Sequence, residues 1–265
     1  MPTVTPGKGA PPPDLTIRTL VKGSGSVVRK NDFAKIYYLG QVWNAKRPFD
    51  INFDEKQQPV IRVGAGQITK GLDQSLEGQR VGSRILVTLP PRLAYGNQGY
   101  APHIPPKATL IFVVDILNAV RPAVAVKGGL PVAMRNHALP AIKENPGGPS
   151  PSIEIPEKST PPKNLVSKYV IEGNGPIVGG GDPLILAYKT MIWETRKTIN
   201  DTYSQSMLQV LAPNRLFKGL QLGLIGKKVG SRVMLVVPPA FGMGKQESIP
   251  ADATLVLSVD ILSKI

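Results

Sequence analysis

The segment EGQRVGSRILVTLPP, from Glu77 to Pro91, occurs a second time as IGKKVGSRVMLVVPP, from Ile225 to Pro239. In both copies a glycine turn precedes a run rich in β-branched and aliphatic residues, and two prolines follow it. Such a run between turn residues is typical of a strand. A duplicated strand of this kind indicates that a longer unit is repeated in the chain.

The similarity extends in both directions from this strand. PPPDLTIRTLVKGSG, from Pro11, corresponds to PPKNLVSKYVIEGNG, from Pro161, and IPPKATLIFVVDIL corresponds to IPADATLVLSVDIL near the end of the chain. Each unit is about 100 residues long, which is the size of a domain with its own core. We therefore predict two tandem domains over residues 15–120 and 164–265, rather than a solenoid of small repeats.

Two proline-rich stretches flank the predicted domains. Residues 1–14 are predicted to form an extended, flexible leader. Residues 121–163 are rich in proline and glycine without a strand or helix period, so we predict a semi-rigid linker there. PSIEIP near the end of this linker resembles PTVTP at the start of the chain. We therefore interpret the end of the linker as the second copy's equivalent of the leader.

Within a copy, the pattern is mostly that of strands. Five runs in the first copy are bounded by glycine, proline or asparagine: LTIRTLV, FAKIYYLGQVW, VIRV, RILVTL and TLIFVVDIL. ITKGLDQSLEGQ instead places Leu72 and Leu76 on one face, which predicts a short helix that stops at Gly78. This combination predicts an α+β domain in which the helix packs on one face of a twisted antiparallel sheet.

The composition excludes several classes of catalytic site. The 265 residues include no cysteine and two histidines, His103 and His137. Disulfides, thiolate catalysis and cysteine-ligated zinc are therefore excluded, and we expect neither a metal site nor a histidine triad, with a carboxylate-rich site as the alternative left open. Neither histidine has a partner pattern nearby, so both are expected to be surface residues. No apolar run approaches the roughly 18 residues of a membrane span.

The net charge of +14 raises nucleic acid or an anionic surface as a partner. Lysines and arginines are scattered singly, without a basic run or a stripe interleaved with aromatic residues. We therefore predict no specific nucleic-acid partner, and at most a weak attraction to anionic envelope surfaces. A nucleic-acid binder would instead lose affinity steeply with added salt.

The glycine-rich stretch GAGQITKG, from Gly64 to Gly71, suggests a phosphate loop at first sight. It lacks the spacing of a P-loop and does not open a long helix. Its counterpart in the second copy, VLAPNRLFKG, has lost the internal glycines. We interpret the glycines as the tight entry to the short helix.

Four ordered motifs of the first copy resemble a known family. FDINF, VGAGQITKGLDQSLEGQRVGSR, LPPRLAYGNQGY and IPPKATLIFVVDIL together resemble the FKBP-type peptidyl-prolyl cis/trans isomerases. The resemblance covers about Leu15 to Leu117 and, more weakly, Leu165 to Leu262. It implies an antiparallel sheet wrapped around a short helix, with an apolar pocket between them for a proline ring. Proline-containing polypeptides and the macrolide inhibitors of the family are the implied ligands, and no cofactor is implied.

The resemblance also implies which residues form the site. The implied catalytic residues are Tyr38, Asp50 and Tyr95, and the implied substrate-binding residues are Phe49, Gln67, Ile68, Thr69, Leu72, Tyr100, Ile104 and Phe112. The Tyr95 hydroxyl and the Ile68 N–H would hold substrate carbonyls, and Asp50 would orient Tyr38. Leu72 stands where the family usually has a floor tryptophan, and Tyr100 where its best-known members often have a histidine.

Rotation about an X–Pro bond suits such a site. Its barrier is about 18–20 kcal/mol, and no bond is made or broken, so no nucleophile or metal is needed. The twisted amide has lost the charge separation of the planar amide. An apolar pocket therefore favours the twisted form, which lowers the barrier.

The same residues also fit purely structural roles. Phe49, Ile104 and Phe112 fit a plain core, Tyr38 fits a strand aromatic with a solvated hydroxyl, and Asp50 fits a turn. The repeated Trp43 and Trp193 are interpreted as structural or surface residues of strands.

The second copy departs from the first at the implied site. Phe49, Asp50, Tyr95 and Phe112 correspond to Ile199, Asn200, Met243 and Leu257. Apolar residues stay apolar, so we expect the fold to persist with little or no isomerase activity, as a spacer or client-binding module. The alternative function for the whole chain is a non-enzymatic chaperone or peptide-binding protein with a weakened isomerase site.

The proline-rich leader resembles the mature region of exported bacterial FKBP-type lipoproteins. We therefore expect an extracytoplasmic or cell-envelope location, with a cytoplasmic location as the alternative.

Overall fold

The computed structural model describes residues 1–55, 58–121, 126, 129–132, 137–145, 148–203, 208–211 and 216–265, without the side chain of Gln209. The chain divides into two compact units, Met1–Arg121 and Pro122–Ile265. Each unit contains an antiparallel sheet and a seven-residue helix. The α+β class predicted from the sequence is confirmed.

The first unit is built on a sheet in the order β1-β5-β6-β2-β3, and β4 pairs with the other end of β2. Its helix packs against the inner face, where Leu76 is fully buried. Its elements are β1 (Thr16–Val21), β2 (Phe33–Val42), β3 (Asp50–Ile51), β4 (Val60–Arg62), α1 (Lys70–Leu76), β5 (Arg84–Leu89), a 3-10 turn (Pro91–Leu93) and β6 (Leu110–Val120).

The second unit repeats this sheet in the order β12-β11-β15-β14-β10-β7, with β13 paired to β11. β8 and β9 form a separate two-stranded sheet. Its elements are β7 (Leu130–Pro131), β8 (Ala141–Lys143), β9 (Ser152–Glu154), β10 (Val166–Glu172), β11 (Leu184–Ile192), β12 (Thr198–Asp201), β13 (Gln209–Leu211), α2 (Lys218–Leu224), β14 (Arg232–Val237), a 3-10 turn (Pro239–Phe241) and β15 (Leu255–Lys264).

The two units share their irregularities as well as their strand order. β1 shifts register against β5 between Thr19 and Val21, and β10 shifts against β14 at the equivalent Tyr169 and Ile171. The Ser83 hydroxyl accepts the Gly23 N–H at 2.9 Å, and Ser231 does the same for Gly173 at 2.9 Å. The repeat in the sequence is thus a repeat of detailed backbone geometry.

The segment 121–163 differs from the predicted linker, because part of it packs on the second unit. β7, β8 and β9 all lie within it, and Ile153 on β9 is buried. Ile153 joins a cluster with Trp193, Met234 and Val256 on the outer face of the sheet. The strands have only two or three residues each, which is too short for a period-two pattern to show in the sequence.

The leader is also attached rather than separate. The Gly7 N–H donates to the Trp43 carbonyl at 2.6 Å, and the Trp43 indole N–H donates to the Gly9 carbonyl at 3.2 Å. In the second unit the Trp193 indole donates to the Ser159 carbonyl at 3.4 Å, at the same repeat position. The repeated tryptophans therefore have a structural role, because each forms a hydrogen bond with the extended segment that precedes its domain.

Both histidines are exposed, as predicted. Neither of the helices in the described ranges has the length and apolar character needed to cross a bilayer.

Candidate active site

A cavity of about 220 Å³ lies between the inner face of the first sheet and α1. Strands β2, β3, β4 and β6, helix α1 and the loop after β5 all contribute to it. Its lining residues are Ile36, Tyr38, Phe49, Asp50, Pro59, Ile61, Gln67, Ile68, Thr69, Leu72, Tyr95 and Phe112. The walls are mainly apolar, with a few polar groups at the edge.

The main polar feature is a pair formed by Tyr38 on β2 and Asp50 on β3. The Tyr38 hydroxyl donates a hydrogen bond to the Asp50 carboxylate at 2.7 Å. Burial raises the pKa of Tyr38, and the bond to Asp50 raises it further. Tyr38 is therefore a fixed, protonated donor beside a carboxylate that is open to solvent.

Asn52, which the sequence analysis did not identify, holds this pair in register. Its side-chain oxygen accepts the Tyr38 N–H at 2.6 Å, and its amide nitrogen donates to the Ile36 carbonyl at 3.2 Å. Asn52 is only 2% exposed. It ties the chain just after β3 to β2, and so fixes the strand that carries Asp50.

Two phenylalanines form one wall of the cavity. The Phe49 and Phe112 rings meet edge to face, with centroids 5.9 Å apart and an interplanar angle of 84°. A Cβ atom on Gly40 would lie 2.7 Å from Phe49 Cζ and 2.8 Å from Phe112 Cε1. Gly40 is therefore the residue that leaves room for both rings.

Tyr95 reaches the cavity from the loop after β5. The 3-10 turn Pro91–Leu93 and the left-handed Gly96 (φ 61°) set the direction of this loop. The Tyr95 ring packs against Tyr100, with centroids 5.5 Å apart, and Tyr95 remains 37% exposed. Burial, with the charge of Asp50 a smaller cause, raises the pKa of Tyr95.

The loop between β4 and α1 is closed by the Asp73 carboxylate. It accepts the N–H groups of Gly64 at 2.7 Å and Gly66 at 3.1 Å. These two glycine amides are therefore engaged within the loop, and both glycines have positive φ, as the tight entry to the helix requires.

Two polar groups of the same loop have no partner within the described residues. The Ile68 N–H has no acceptor, and the buried Thr69 hydroxyl has no hydrogen bond. Both residues line the cavity. An unpaired buried polar group is costly unless a ligand or water satisfies it, so these groups can receive a bound molecule.

Nine of the eleven predicted site residues line the cavity, and two do not. Ile104 is 3% exposed and packs in the core of the unit, while Tyr100 is 62% exposed and touches the site only through the Tyr95 ring. The prediction did not include Ile36, Pro59 and Ile61. Strand alternation is the signal that could have identified Ile36, because it lies two residues from Tyr38 on the same face of β2.

The second unit has a cavity of about 200 Å³ at the equivalent place. Its lining residues are Tyr188, Thr190, Ile199, Asn200, Leu211, Leu216, Phe217, Leu220, Met243, Gln246, Ser248 and Ile249. The carboxylate is absent, since Asn200 replaces Asp50. Thr190 replaces Gly40, and the smaller Ile199 and Leu257 replace the two phenylalanines.

The hydrogen bond at the second site runs in the opposite direction. The Asn200 amide donates to the Tyr188 hydroxyl at 3.3 Å, whereas the Tyr38 hydroxyl donates to Asp50 in the first site. Burial raises the pKa of Tyr188, and the bond from Asn200 opposes that rise. The lining of the second cavity therefore contains no charged side chain.

Neither cavity has the ligands of a metal centre. Among the residues that the structure describes, no three histidine or carboxylate side chains come together as a cation site.

Both units thus share one sheet-and-helix fold with a cavity beneath the helix. The family model for the FKBP-type peptidyl-prolyl cis-trans isomerase matches residues 25–117 and 175–262. The chain belongs to this family, and it contains two copies of the family's domain in tandem.

The chain is similar to longer and shorter members. It is 29% identical to mouse peptidyl-prolyl cis-trans isomerase FKBP10 over 259 residues, which is 96% of this chain but 38% of that protein. It is 28% identical to rat FKBP9 over 89% of this chain and 35% of that protein. The chain thus spans little more than a third of these relatives.

A single copy is similar to two shorter proteins. The FK506-binding protein of Streptomyces anulatus is 35% identical over 110 residues, which is 41% of this chain and 89% of that protein. The protein in the crystal structure of AtFKBP13 shares 26% sequence identity with this chain. The alignment covers 40% of this chain and 93% of that chain, and the TM-score is 0.37.

Proposed function

We propose that this protein catalyses cis/trans isomerisation of X–Pro bonds in polypeptides, and that the first domain carries the activity. The observation that carries this proposal is the difference between the two cavities. Both are apolar and of similar volume, but the first has the Tyr38–Asp50 pair and the Tyr95 hydroxyl at its edge.

The first cavity has the parts that this reaction needs. The Phe49–Phe112 wall and Leu72 provide an apolar environment, which favours the twisted amide over the planar, more polar one. The Leu72 side chain at the floor of the cavity is smaller than the tryptophan expected from the family. A proline ring fits a cavity of this size, and a macrolide is a further candidate ligand.

Three donors can hold the substrate during rotation. The Ile68 N–H and the Thr69 hydroxyl have no partner among the described residues, and the Tyr95 hydroxyl lies at the exposed edge. Each can donate to a substrate carbonyl on either side of the proline. Asp50 does not touch the rotating bond in this proposal; it holds the Tyr38 hydroxyl in position beside it.

The second domain is proposed to be a binding module without catalysis. Its cavity keeps apolar walls and an aromatic hydroxyl, but Asn200 and Met243 remove the carboxylate and the tyrosine of the loop. It can hold a neutral apolar side chain of a client without stabilising the twisted amide. The chain would then assist folding by catalysing isomerisation at one site and holding the client at the other.

A proline-peptide isomerisation assay on the full chain tests the proposal. We expect a wild-type rate that falls at least tenfold in a Tyr95→Phe, Asp50→Leu double variant. Met243→Leu is the matched control in the second cavity and should leave the rate within twofold. A wild type without activity would favour the alternative, a non-enzymatic peptide-binding protein, and equal loss from both variants would contradict the division of roles.

An extracytoplasmic or cell-envelope location stays a prediction. Cell fractionation with an antibody against the chain tests it, since recovery in the cytoplasmic fraction would support the alternative location.

A further inference from the structure

The outermost strand of the first sheet is an exposed apolar edge. All six residues of β1 are exposed, and Ile17, Leu20 and Val21 are 41%, 44% and 53% exposed. β5 is the neighbour of β1 on one side, and on the other side no described segment pairs with it. The free side of such a strand presents unpaired N–H and C=O groups on which another extended chain can pair.

In the second unit the equivalent edge is covered. β7 pairs antiparallel with β10, which places Pro131 opposite Ile171 and Leu130 opposite Glu172. The Val132 N–H donates to the Val170 carbonyl at 2.9 Å. One edge therefore already holds an extended segment, whereas no segment among the described residues pairs with the equivalent edge of the first unit.

The segment on β10 shows what this edge accepts. Val132 and Val170 form a hydrogen-bonded pair of the antiparallel ladder. Pro131 lies at the next position, where the N–H would point away from the partner strand. The absence of an N–H on proline therefore removes no ladder hydrogen bond. A Cβ atom on Gly129 would lie 2.4 Å from Ile171 Cγ2 and 2.8 Å from the Glu172 carbonyl oxygen. The edge thus fits an extended Gly-Leu-Pro-Val segment, with glycine where the chains approach most closely.

β1 has the same geometry as β10, since both strands shift register at the same repeat position. Leu20 and Val21 are therefore the equivalents of Val170 and Ile171. The charge differs, because Lys22 stands where the second copy has Glu172, which pairs with Lys228 at 2.7 Å. With Arg18 also on β1, the free edge is cationic and complements an acidic segment.

We propose that β1 binds an extended polypeptide segment of the Gly-Leu-Pro-Val type with acidic flanks, by addition of an antiparallel strand. No residue of β1 lines the cavity, and β5 separates β1 from β6, the nearest strand that contributes to it. Strand addition uses only the backbone and edge side chains of β1. The site is therefore independent of the proposed catalysis, and it gives the first domain a second hold on an extended client.

The test uses the full chain and a fluorescein-labelled peptide, Glu-Gly-Gly-Leu-Pro-Val-Ala-Glu. Fluorescence anisotropy measures the affinity, and hydrogen exchange with mass spectrometry locates the site. We expect slower exchange in residues 16–21 and no change in residues 166–172, whose edge is covered. N-methylation of the peptide valine, which removes the donor to Leu20, should weaken binding at least fivefold. N-methylation of the following alanine, whose N–H points away, should change the affinity less than twofold.

Three further probes separate this site from others. A Gly-Leu-Ala-Val peptide should still protect residues 16–21, because strand addition does not need proline, whereas the cavity does. A peptide with lysine flanks should bind more weakly, and an Arg18→Glu, Lys22→Glu variant should reverse that preference.

Several results would overturn the proposal. Protection confined to residues that line the cavity would assign the peptide to the isomerase site. Equal affinity of both methylated peptides would exclude strand pairing. Protection of residues 16–21 that grows with protein concentration in the absence of peptide would show that a second copy of the chain is the occupant.

Discussion

The Tyr38–Asp50 pair allows a graded prediction about catalysis. Asp50→Asn keeps a side chain of the same shape but removes the charge, and Asp50→Leu removes the hydrogen bond altogether. The bond is 2.7 Å long in the first site, against 3.3 Å for the neutral bond of Asn200 in the second. The second cavity thus shows what the pair becomes without a charge.

The size of the effect follows from the kind of bond. A hydrogen bond to a charged group contributes about 1.5–3 kcal/mol and a neutral one about 0.5–1.5 kcal/mol. Asp50 is exposed to solvent, so we take the lower part of each range and a difference of about 1 kcal/mol. At about 1.4 kcal/mol per tenfold change, kcat/KM should fall about fivefold in Asp50→Asn and about tenfold or more in Asp50→Leu.

The assay is isomerisation of a proline peptide by the full chain, with thermal unfolding as the stability control. Asp50→Asn should lower the free energy of unfolding by about 1 kcal/mol and Asp50→Leu by about 1.5 kcal/mol, because the same bond is weakened or lost in the folded protein, so the rates are compared well below the unfolding temperature of each variant. Asn200→Asp in the second site is the matched control and should leave the rate unchanged. If Asp50→Asn and Asp50→Leu both keep the wild-type kcat/KM, Asp50 does not position Tyr38 for catalysis.

Four further predictions follow from the two domains. Tyr95→Phe should lower kcat/KM about threefold to tenfold without a change in the free energy of unfolding, and an unchanged rate in the peptide assay would remove its hydroxyl from the mechanism. A fragment of residues 122–265 should fold but show no isomerase activity, and circular dichroism with the peptide assay would detect the opposite result. Ile153→Ala should destabilise the second domain by about 2 kcal/mol in urea unfolding, because Ile153 is 7% exposed and packs on the outer face of the sheet; a loss below about 0.5 kcal/mol would mean that the segment 121–163 contributes no packing. The pKa of Tyr38 is raised in the folded state, so its contribution to stability should be constant below pH 10 and decrease as pH rises above it; Tyr38→Phe should remove that part of the decrease in pH-dependent unfolding.

The sequence was sufficient to predict both sheets because their signals are local or repeated. Each long strand is a run of β-branched and aromatic residues between turn residues, and α1 has its leucines four apart with Gly78 just beyond it. Because the unit is repeated, each strand and helix assignment is supported by the same pattern in the other copy. Leu72 and Phe112 could be assigned to the first site because their motifs resemble those of the family, although their pattern alone also fits a plain core.

Other features depend on pairs of residues that are distant in the sequence. Asn52 positions Tyr38 only because β3 folds back on β2, and Gly40 leaves space only because Phe49 and Phe112 meet above it. The distance of Tyr100 from the cavity was likewise decided by its loop, which closes on Ile104 rather than on the site.

The sequence by itself determined that the chain is two copies of one α+β domain, and that the copies differ at the residues that the family resemblance implies for the site. Strand periodicity and helix spacing are properties of neighbouring residues, so they can be recognised without coordinates. Only the tertiary structure decided that residues in 121–163 cover the outer face and the β10 edge of the second sheet, while no segment in the described ranges covers the β1 edge. These contacts join short segments without a period of their own, and they form because a sheet exposes apolar faces and unpaired edges that some other segment must cover.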